Sequence, residues 1–600
     1  MAKSNKKSEH SIVSPMAAAL VSVDVIAGQF VDKNHIIAVI ESMKMQTAIT
    51  ASVAGLITDI KVTAGQTIQE GQLICKIVQS SQSSDVVDTQ QLISDSGENA
   101  LDQLNQQLAS SLDGGRKKSV DKRHGKGYRT ARENLRQLCD EGSFVEYGQL
   151  AVAAQRDRMN SEKLKVETAA DGVITGLATI NADQFGEHAT QVAVIVNDYT
   201  VLAGTQGYFH HRKIDRMLEQ AKRGYLPVVM YTEGGGGRPG DTDVKIQIAG
   251  LDVPTFASWA SLSGQVPMIA VNNGYCFAGN AALFGCADIR IATKTSWIGM
   301  AGPAMIEGGG LGSFAPTEIG PMDVQAKNGV VDLVADDEAH ATALAQQCLS
   351  YFQGGSETWQ CADQLELRNM MPADRRYVYD VRSVITQLVD SDSFLELSHA
   401  YGCAVITGFA RIEGRAVGVI ANDCRYLGGA VDAEAAEKTA KFITLCDNFD
   451  IPIVSLCDSP GFMVGPASEE QAAVRRMAQL FIAGAKLTTP LVTIFLRKGY
   501  GLGAMAMAGG SFHKPIYSAS WPSGEFGGMG LEGAVRLGYK KELEAVTEGE
   551  ERDTLFNQLV DKMYERGKAT EAAAHLEIDA VIDPADTRAV IVRAFESRVN

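Results

Sequence analysis

The sequence predicts a small antiparallel β-barrel joined by a polar tether to a larger α/β body made of two similar halves. Three observations predict it: a short internal repeat near the N-terminus, a long repeat in the remainder, and a Ser/Gln/Asp-rich stretch between them. With 600 residues, the chain exceeds what one core holds. Its 45% hydrophobic and 21% charged content are those of an ordinary globular protein. The formal charge of −17 argues against nucleic acid or an anionic membrane as a partner, while leaving room for local basic sites.

The short repeat aligns LVSVDVIAGQFVDKNHIIAVIES with LITDIKVTAGQTIQEGQLICKIV. Val25 falls on Val62, Gly28 on Gly65, Ile37 on Ile74 and Ile40 on Ile77, always 37 residues apart. Each half alternates apolar and polar residues between glycine turns, which reads as short half-buried strands. Two such halves make a flattened barrel over residues 10–80 with pseudo-two-fold symmetry. Ser42-Met43-Lys44-Met45 then occupies a hairpin tip. Two methionines at a tip that faces water are unusual, and they mark Lys44 as more than a solvated turn residue.

Residues 81–115 read as a linker that includes a possible helix. The stretch QSSQSSDVVDTQQLISDSGENA is of flexible composition. Leu101, Leu104, Leu108 and Leu112 recur at helical spacing, so part of the tether is expected to be a helix that docks. As coil, about 35 residues span about 30–35 Å root-mean-square and at most about 120 Å.

The long repeat divides the remainder into 116–375 and 376–600. Leu226-Pro227-Val228-Val229 recurs as Ile451-Pro452-Ile453-Val454, and Pro267-Met268-Ile269-Ala270 as Pro490-Leu491-Val492-Thr493. Gly274 matches Gly499 and Trp297 matches Trp521, all about 225 residues apart. Each half reads as strand, loop, helix, strand, small-residue turn, helix, which is an α/β layer pattern with buried strands.

Ten scattered cysteines with no CxxC spacing suit reduced thiols and give no metal site. The opening MAKSNKKSEH lacks the apolar core of a signal peptide, and no apolar run reaches the ~20 residues of a membrane helix. A cytoplasmic protein with no membrane partner is expected. Neither HExxH nor GxSxG occurs, and the Glu233-Gly234-Gly235-Gly236-Gly237-Arg238 loop lacks the GxxxxGK[ST] phosphate pattern.

ESMKM, with SPMAAALVSVDV before it and ASVAGLI after it, resembles biotin carboxyl carrier domains. Lipoyl domains share that barrel, but the Met43-Lys44-Met45 sandwich favours biotin. KRHGKGYRTARENLRQLCDEGSFVEYGQL, RKGYGLGAMAMAGGSF and WPSGEFGGMGLEGAV are similar to the carboxyltransferase β subunits of biotin-dependent acyl-CoA carboxylases. The resemblance implies two crotonase-like halves, with biotin bound covalently to Lys44 by a biotin protein ligase. It implies carboxyl transfer from carboxybiotin to the α-carbon of an acyl-CoA.

That chemistry leaves charge on a thioester oxygen and on the biotin ureido oxygen, and backbone N–H groups stabilise both. By resemblance, Ala278 and Gly279 hold the thioester oxygen. Leu502 and Gly503 hold the biotin oxygen, or Gly501 in a register shifted by one. Gly235, Gly236, Arg238 and Met505 are candidate substrate contacts. His210, His211, Arg212 and Lys213 read either as contacts to CoA phosphates or as a solvated helix face. Glu525 and Glu532 read as polar packing rather than as a base.

The implied partners are acyl-CoA, a separate biotin carboxylase subunit, and further copies of the chain, often a hexamer. Three other readings stay open: a biotin-dependent acyl-CoA decarboxylase with a membrane partner, a plain hydratase or isomerase, and a non-catalytic biotin-carrying scaffold.

Overall fold

The computed structural model describes residues 8–80, 91–244 and 251–597. The chain forms two units, Met1–Gln106 and Gln107–Asn600.

The first unit contains β1 (Glu9–Val13), β2 (Ala18–Val23), β3 (Phe30–Val31) and β4 (Ile36–Ser42), then β5 (Met45–Thr50), β6 (Gly55–Ile60), β7 (Thr67–Ile68) and β8 (Leu73–Gln79). These make two four-stranded antiparallel sheets, ordered β1-β8-β6-β3 and β5-β4-β2-β7. The repeat is visible in three dimensions. Val25 and Val62, Ile37 and Ile74, and Ile40 and Ile77 are all buried in one core. Gly28 and Gly65 share the same left-handed backbone, with φ of 90° and 92°.

The start of the predicted tether, residues 81–90, lies outside the described residues. A helix follows at Gln91–Ser110. At 1.5 Å per residue it is a rod of about 30 Å, so the coil estimate overstates the freely flexible length. Among the described residues Leu101, Leu104 and Leu112 are exposed.

The second unit holds two sheets of the same design. The first has β9 (Val145–Tyr147), β10 (Val173–Thr179), β11 (Gln191–Asn197), β12 (Val228–Tyr231) and β13 (Met268–Asn272). It continues through β15 (Ile289–Thr293) to β17 (Leu333–Ala335), with β14 (Tyr275–Phe277) and β16 (Trp297–Gly299) paired beside it. The second has β18 (Leu395–Leu397), β19 (Val405–Ile412), β20 (Arg415–Asn422), β21 (Ile453–Ser459) and β22 (Leu491–Tyr500). It ends in β23 (Tyr517–Ser520) and β25 (Ala580–Val581), with β24 (Glu525–Gly527) on the end of β22. In both, the first three strands are antiparallel and the rest parallel. The central parallel strands β12, β13, β21 and β22 are buried almost along their whole length, as helices on both faces require.

The duplication extends further upstream than the 225-residue matches. Arg132 pairs with both oxygens of Glu146, and Arg382 does the same with Glu396, 250 residues on. Asp140 accepts from the backbone N–H groups of Asn181 and Ala182, and Asp390 from those of Glu413 and Gly414. The two halves share a core in which Tyr351 stacks on Phe409 at 5.2 Å.

A cavity of about 870 Å³ lies between the halves, lined among others by Asp288, Asp332 and Lys441. Burial pushes the Asp288 carboxyl up to about 6, against N–H donation from Met268. Its unfolded value is near 3.9. The raised folded value means stability is fully present below about pH 4 and is lost as pH rises through about 6. Asp288→Asn should therefore stabilise the protein by about 1–2 kcal/mol at pH 7.5 and change little at pH 4, as read by thermal unfolding at the two pH values.

No helix among the described residues is long and apolar enough to cross a membrane.

Candidate active site

Lys44 sits at the tip of a two-residue hairpin closed by the Ser42–Met45 pair. Met43 and Lys44 both adopt positive φ, 52° and 66°, the geometry that hairpins usually give to Asn-Gly. Left-handed backbone costs about 1–2 kcal/mol per ordinary residue. The flanking strands hold this strained turn outward. Met43 is 96% exposed and Met45 73% exposed, so the ε-amine stands clear of the barrel and fits attachment of a biotinyl group.

In the first half, β14 runs into Ala278 and the helix Gly279–Cys286. Ala278 has φ 51° and ψ −120°, a conformation that glycine tolerates far better. Its N–H donates to Gly299 O at 3.1 Å, so Ala278 has no free amide for a ligand. Gly279 and Asn280 stand in the first helical turn, where N–H groups have no acceptor within the helix. The amides left open at this turn are therefore those of Gly279 and Asn280, not the expected Ala278 and Gly279.

A Cβ on Gly279 would lie 2.2 Å from Gln206 Oε1, and one on Gly236 would lie 2.7 Å from the Ala278 Cβ. The glycine-rich loop therefore presses against the turn. Asn280, fully buried, clamps the two together: its Oδ1 accepts from Gly236 N at 3.0 Å, and its Nδ2 donates to Thr232 O at 3.1 Å. Gly235 N is spent on Ala203 O. Asn280→Ala should orphan two buried backbone groups, destabilise the protein by about 2–4 kcal/mol, and lower carboxyl transfer; thermal unfolding and initial rates check both.

In the second half, β22 runs directly into Gly501 (φ 58°) and the helix Gly501–Met507. Leu502 is 60% exposed and Gly503 is buried, and both stand in the first turn of this helix, where N–H groups have no acceptor within the helix. A Cβ on Gly503 would meet Gly461 carbonyl carbon at 2.4 Å. The loop after β21 thus packs on this turn as the glycine-rich loop packs on the first. Gly499, Gly501, Met505, Phe512 and Phe526 line a cavity of about 610 Å³, whose wall also carries Arg566, Glu571 and His575. The surroundings of Met505 are therefore mixed rather than purely apolar. Glu525 accepts from the Tyr500 hydroxyl at 2.8 Å, and burial raises its carboxyl; Glu532 accepts from Tyr564.

Several expectations meet a different geometry. Arg238 is buried and committed to Asp171, Asp241 and Thr205 O, which leaves it no free donor fork. His210 is fully buried with Nδ1 3.0 Å from Asp171 O, and His211 is 2.9 Å from the Thr255 hydroxyl. Lys213 donates to Ala170 O and Val173 O. Only Arg212 of that group faces solvent, so the cluster is mostly internal structure rather than a solvated face.

Sequence reasoning missed the acids behind each turn. Glu233 is held by both terminal nitrogens of Arg123, and Asp458 by Arg497. These acids lie 225 residues apart, so the repeat offset itself was the signal.

The carboxyl transferase domain family matches residues 122–600, and the biotin-requiring enzyme family matches residues 10–77. The chain is 33% identical to the methylmalonyl-CoA carboxyltransferase 12S subunit of Propionibacterium freudenreichii subsp. shermanii, over 83% of this chain and 94% of that one. A single-chain, multi-domain long-chain acyl-CoA carboxylase structure is 49% identical with a TM-score of 0.79; it covers 99% of this chain, which spans 57% of that longer one. The transcarboxylase 12S hexamer with methylmalonyl-CoA bound is 30% identical with a TM-score of 0.73, over 86% and 96% of the two chains. The duplicated turns, the exposed lysine hairpin and these matches lead to one conclusion: the chain belongs to the carboxyl transferase domain family and joins to it the carrier domain of a biotin-requiring enzyme.

Proposed function

We propose that the chain is the carboxyltransferase and biotin-carrying component of a biotin-dependent acyl-CoA carboxylase. Residues 10–80 form the carrier, 81–115 the tether, and 116–375 and 376–600 the two catalytic halves. The single observation that carries this reading is the pairing of a lysine hairpin with two equivalent amide-bearing turns in one chain. Biotin attached to Lys44 supplies an activated carboxyl group. The Gly279 and Asn280 amides hold the acyl-CoA thioester oxygen and favour its enolate. The Leu502 and Gly503 amides hold the ureido oxygen. Donors of this kind each contribute about 2.7–4 kcal/mol in other enzymes. Gly235, Gly236 and Met505 line the approaches to the two turns, and no side-chain base is assigned.

As the resemblance to carboxyltransferase β subunits implies, ATP-dependent charging of biotin is assigned to a separate biotin carboxylase subunit, and attachment to a biotin protein ligase. Met300 and Leu311 beside the first turn, and Val464 beside the second, are exposed apolar groups. They suit cover by a second copy, with the first half of one chain facing the second half of another in a hexamer. The ten free thiols fit a reducing cytoplasm.

The test is reconstitution. The biotinylated chain, with a biotin carboxylase, ATP and labelled bicarbonate, should fix label into acyl-CoA in an avidin-sensitive way. Fixation that ignores added acyl-CoA, or that survives avidin, would count against the assignment. A panel of acetyl-, propionyl- and long-chain acyl-CoA then ranks the substrates.

A further inference from the structure

Behind the first turn, three adjacent parallel strands deliver polar residues to one point. Asn197 ends β11, Glu233 follows β12 and Asn273 follows β13. Asn134, on the helix Ala131–Leu138, and Arg123 complete the wall of a closed cavity of about 10 Å³, room for a single water-sized particle. Asn134, Asn197 and Asn273 are only 3%, 6% and 3% exposed, yet the Oδ1 of each has no hydrogen-bond partner. Unpartnered buried acceptors are few in native proteins; three around one cavity need a cause.

Amide reorientation does not remove those of Asn134 and Asn273. Asn134 and Asn273 both donate Nδ2 to Glu338 Oε2, at 2.7 and 3.1 Å. An ionised carboxylate only accepts, so both NH2 groups must face it and both oxygens must face elsewhere. Glu338 also accepts from Arg129 N at 2.8 Å. Burial raises its carboxyl, while these three donors favour the ionised form.

The nearby carboxylates are unequally paired. Asp198 pairs with Arg116 at 2.6 Å and Glu233 with Arg123 at 2.9 and 2.6 Å. The nearest cation to Glu338 is that same Arg123, at 3.9 Å; the Arg129 guanidinium is turned to Gln137 and Glu133 O. Of these three carboxylates, Glu338 is the one without a guanidinium in direct hydrogen-bond contact. A water could donate to only two of the three amide oxygens. A single positive ion meets all three, and a wall of neutral amide oxygens with carboxylates suits a hard cation.

We propose that this cavity binds one dehydrated alkali-metal cation, ligated by the side-chain oxygens of Asn134, Asn197 and Asn273, that ties three strand ends to the first turn. Glu233 opens the glycine-rich loop, and Asn273 precedes Gly274, whose added Cβ would sit 2.4 Å from Glu233 Oε1. The ion would thus set the register of loop and turn from behind, as a positioning element independent of the overall reaction.

The full-length chain is to be melted in potassium, sodium and choline chloride at matched ionic strength. A saturable rise in Tm of about 2–4 °C in one alkali salt over choline is expected, together with a thallium(I) anomalous peak among the three asparagines in crystals. Asn197→Leu should abolish the salt difference. Equal melting in all three salts overturns the proposal. So does an Asn197→Leu protein more stable than wild type in potassium, since removing a truly orphaned acceptor stabilises. If that variant does not fold, the thallium map decides alone: no peak, no cation.

Discussion

Lys44→Arg should leave the chain folded and entirely free of biotin, with carboxyl transfer at background. Lys44 is exposed and arginine keeps its charge, so the turn loses nothing on folding and stability should change by less than about 0.5 kcal/mol. A guanidinium stays protonated throughout the working pH range, so it offers no amine for acylation. Intact mass and avidin blotting read the attachment directly. Free biotin added in trans should restore a slow reaction, because the catalytic turns are untouched. The deficit against the tethered arm should be about 10²–10⁴-fold, the usual advantage of effective concentration. A Lys44→Arg chain that still binds avidin would show that the arm is anchored elsewhere.

What the sequence disclosed depended on whether the signal was local. Ile37 and Ile74, or Ile40 and Ile77, show the barrel because a period-two pattern and a constant offset are both visible in a linear string. The turns were visible for the same reason: glycines must lie where backbones touch, and those contacts are duplicated. The upstream part of the long repeat was hidden by its different offset. Arg132 and Glu146 match Arg382 and Glu396 at 250 residues rather than 225, since the connections between them differ in length. The engagement of the Ala278 amide was hidden for another reason. That the Ala278 amide is spent on Gly299 follows from the β14–β16 pairing, a tertiary fact with no trace near residue 278. Arg238 and His210 misled similarly, because a basic residue in a glycine-rich or helical context looks free until its buried carboxylate or carbonyl partner is placed.

Gly503→Ala should sharply lower carboxyl transfer through a single added methyl group. Its Cβ would fall 2.4 Å from the Gly461 carbonyl carbon and 2.7 Å from the Gly461 Cα and O. All three are backbone atoms, so no side-chain rotation relieves the clash. The loop Ser459-Pro460-Gly461 must separate from the helix Gly501–Met507, and the amides of Leu502 and Gly503 move with it. Loss of one aligned donor corresponds to about 10²–10³ in rate, and that fall should appear in kcat. Acyl-CoA affinity, set at the first turn, should hold within a few-fold by equilibrium titration. Leu502→Ala is the matched control: its side chain points to solvent while its amide is retained, so it should transfer carboxyl groups nearly as well as wild type. A Gly503→Ala enzyme with undiminished kcat would place the biotin-side donors somewhere other than this turn. The reverse result at Leu502 would mean that its side chain, not its backbone, meets the cofactor.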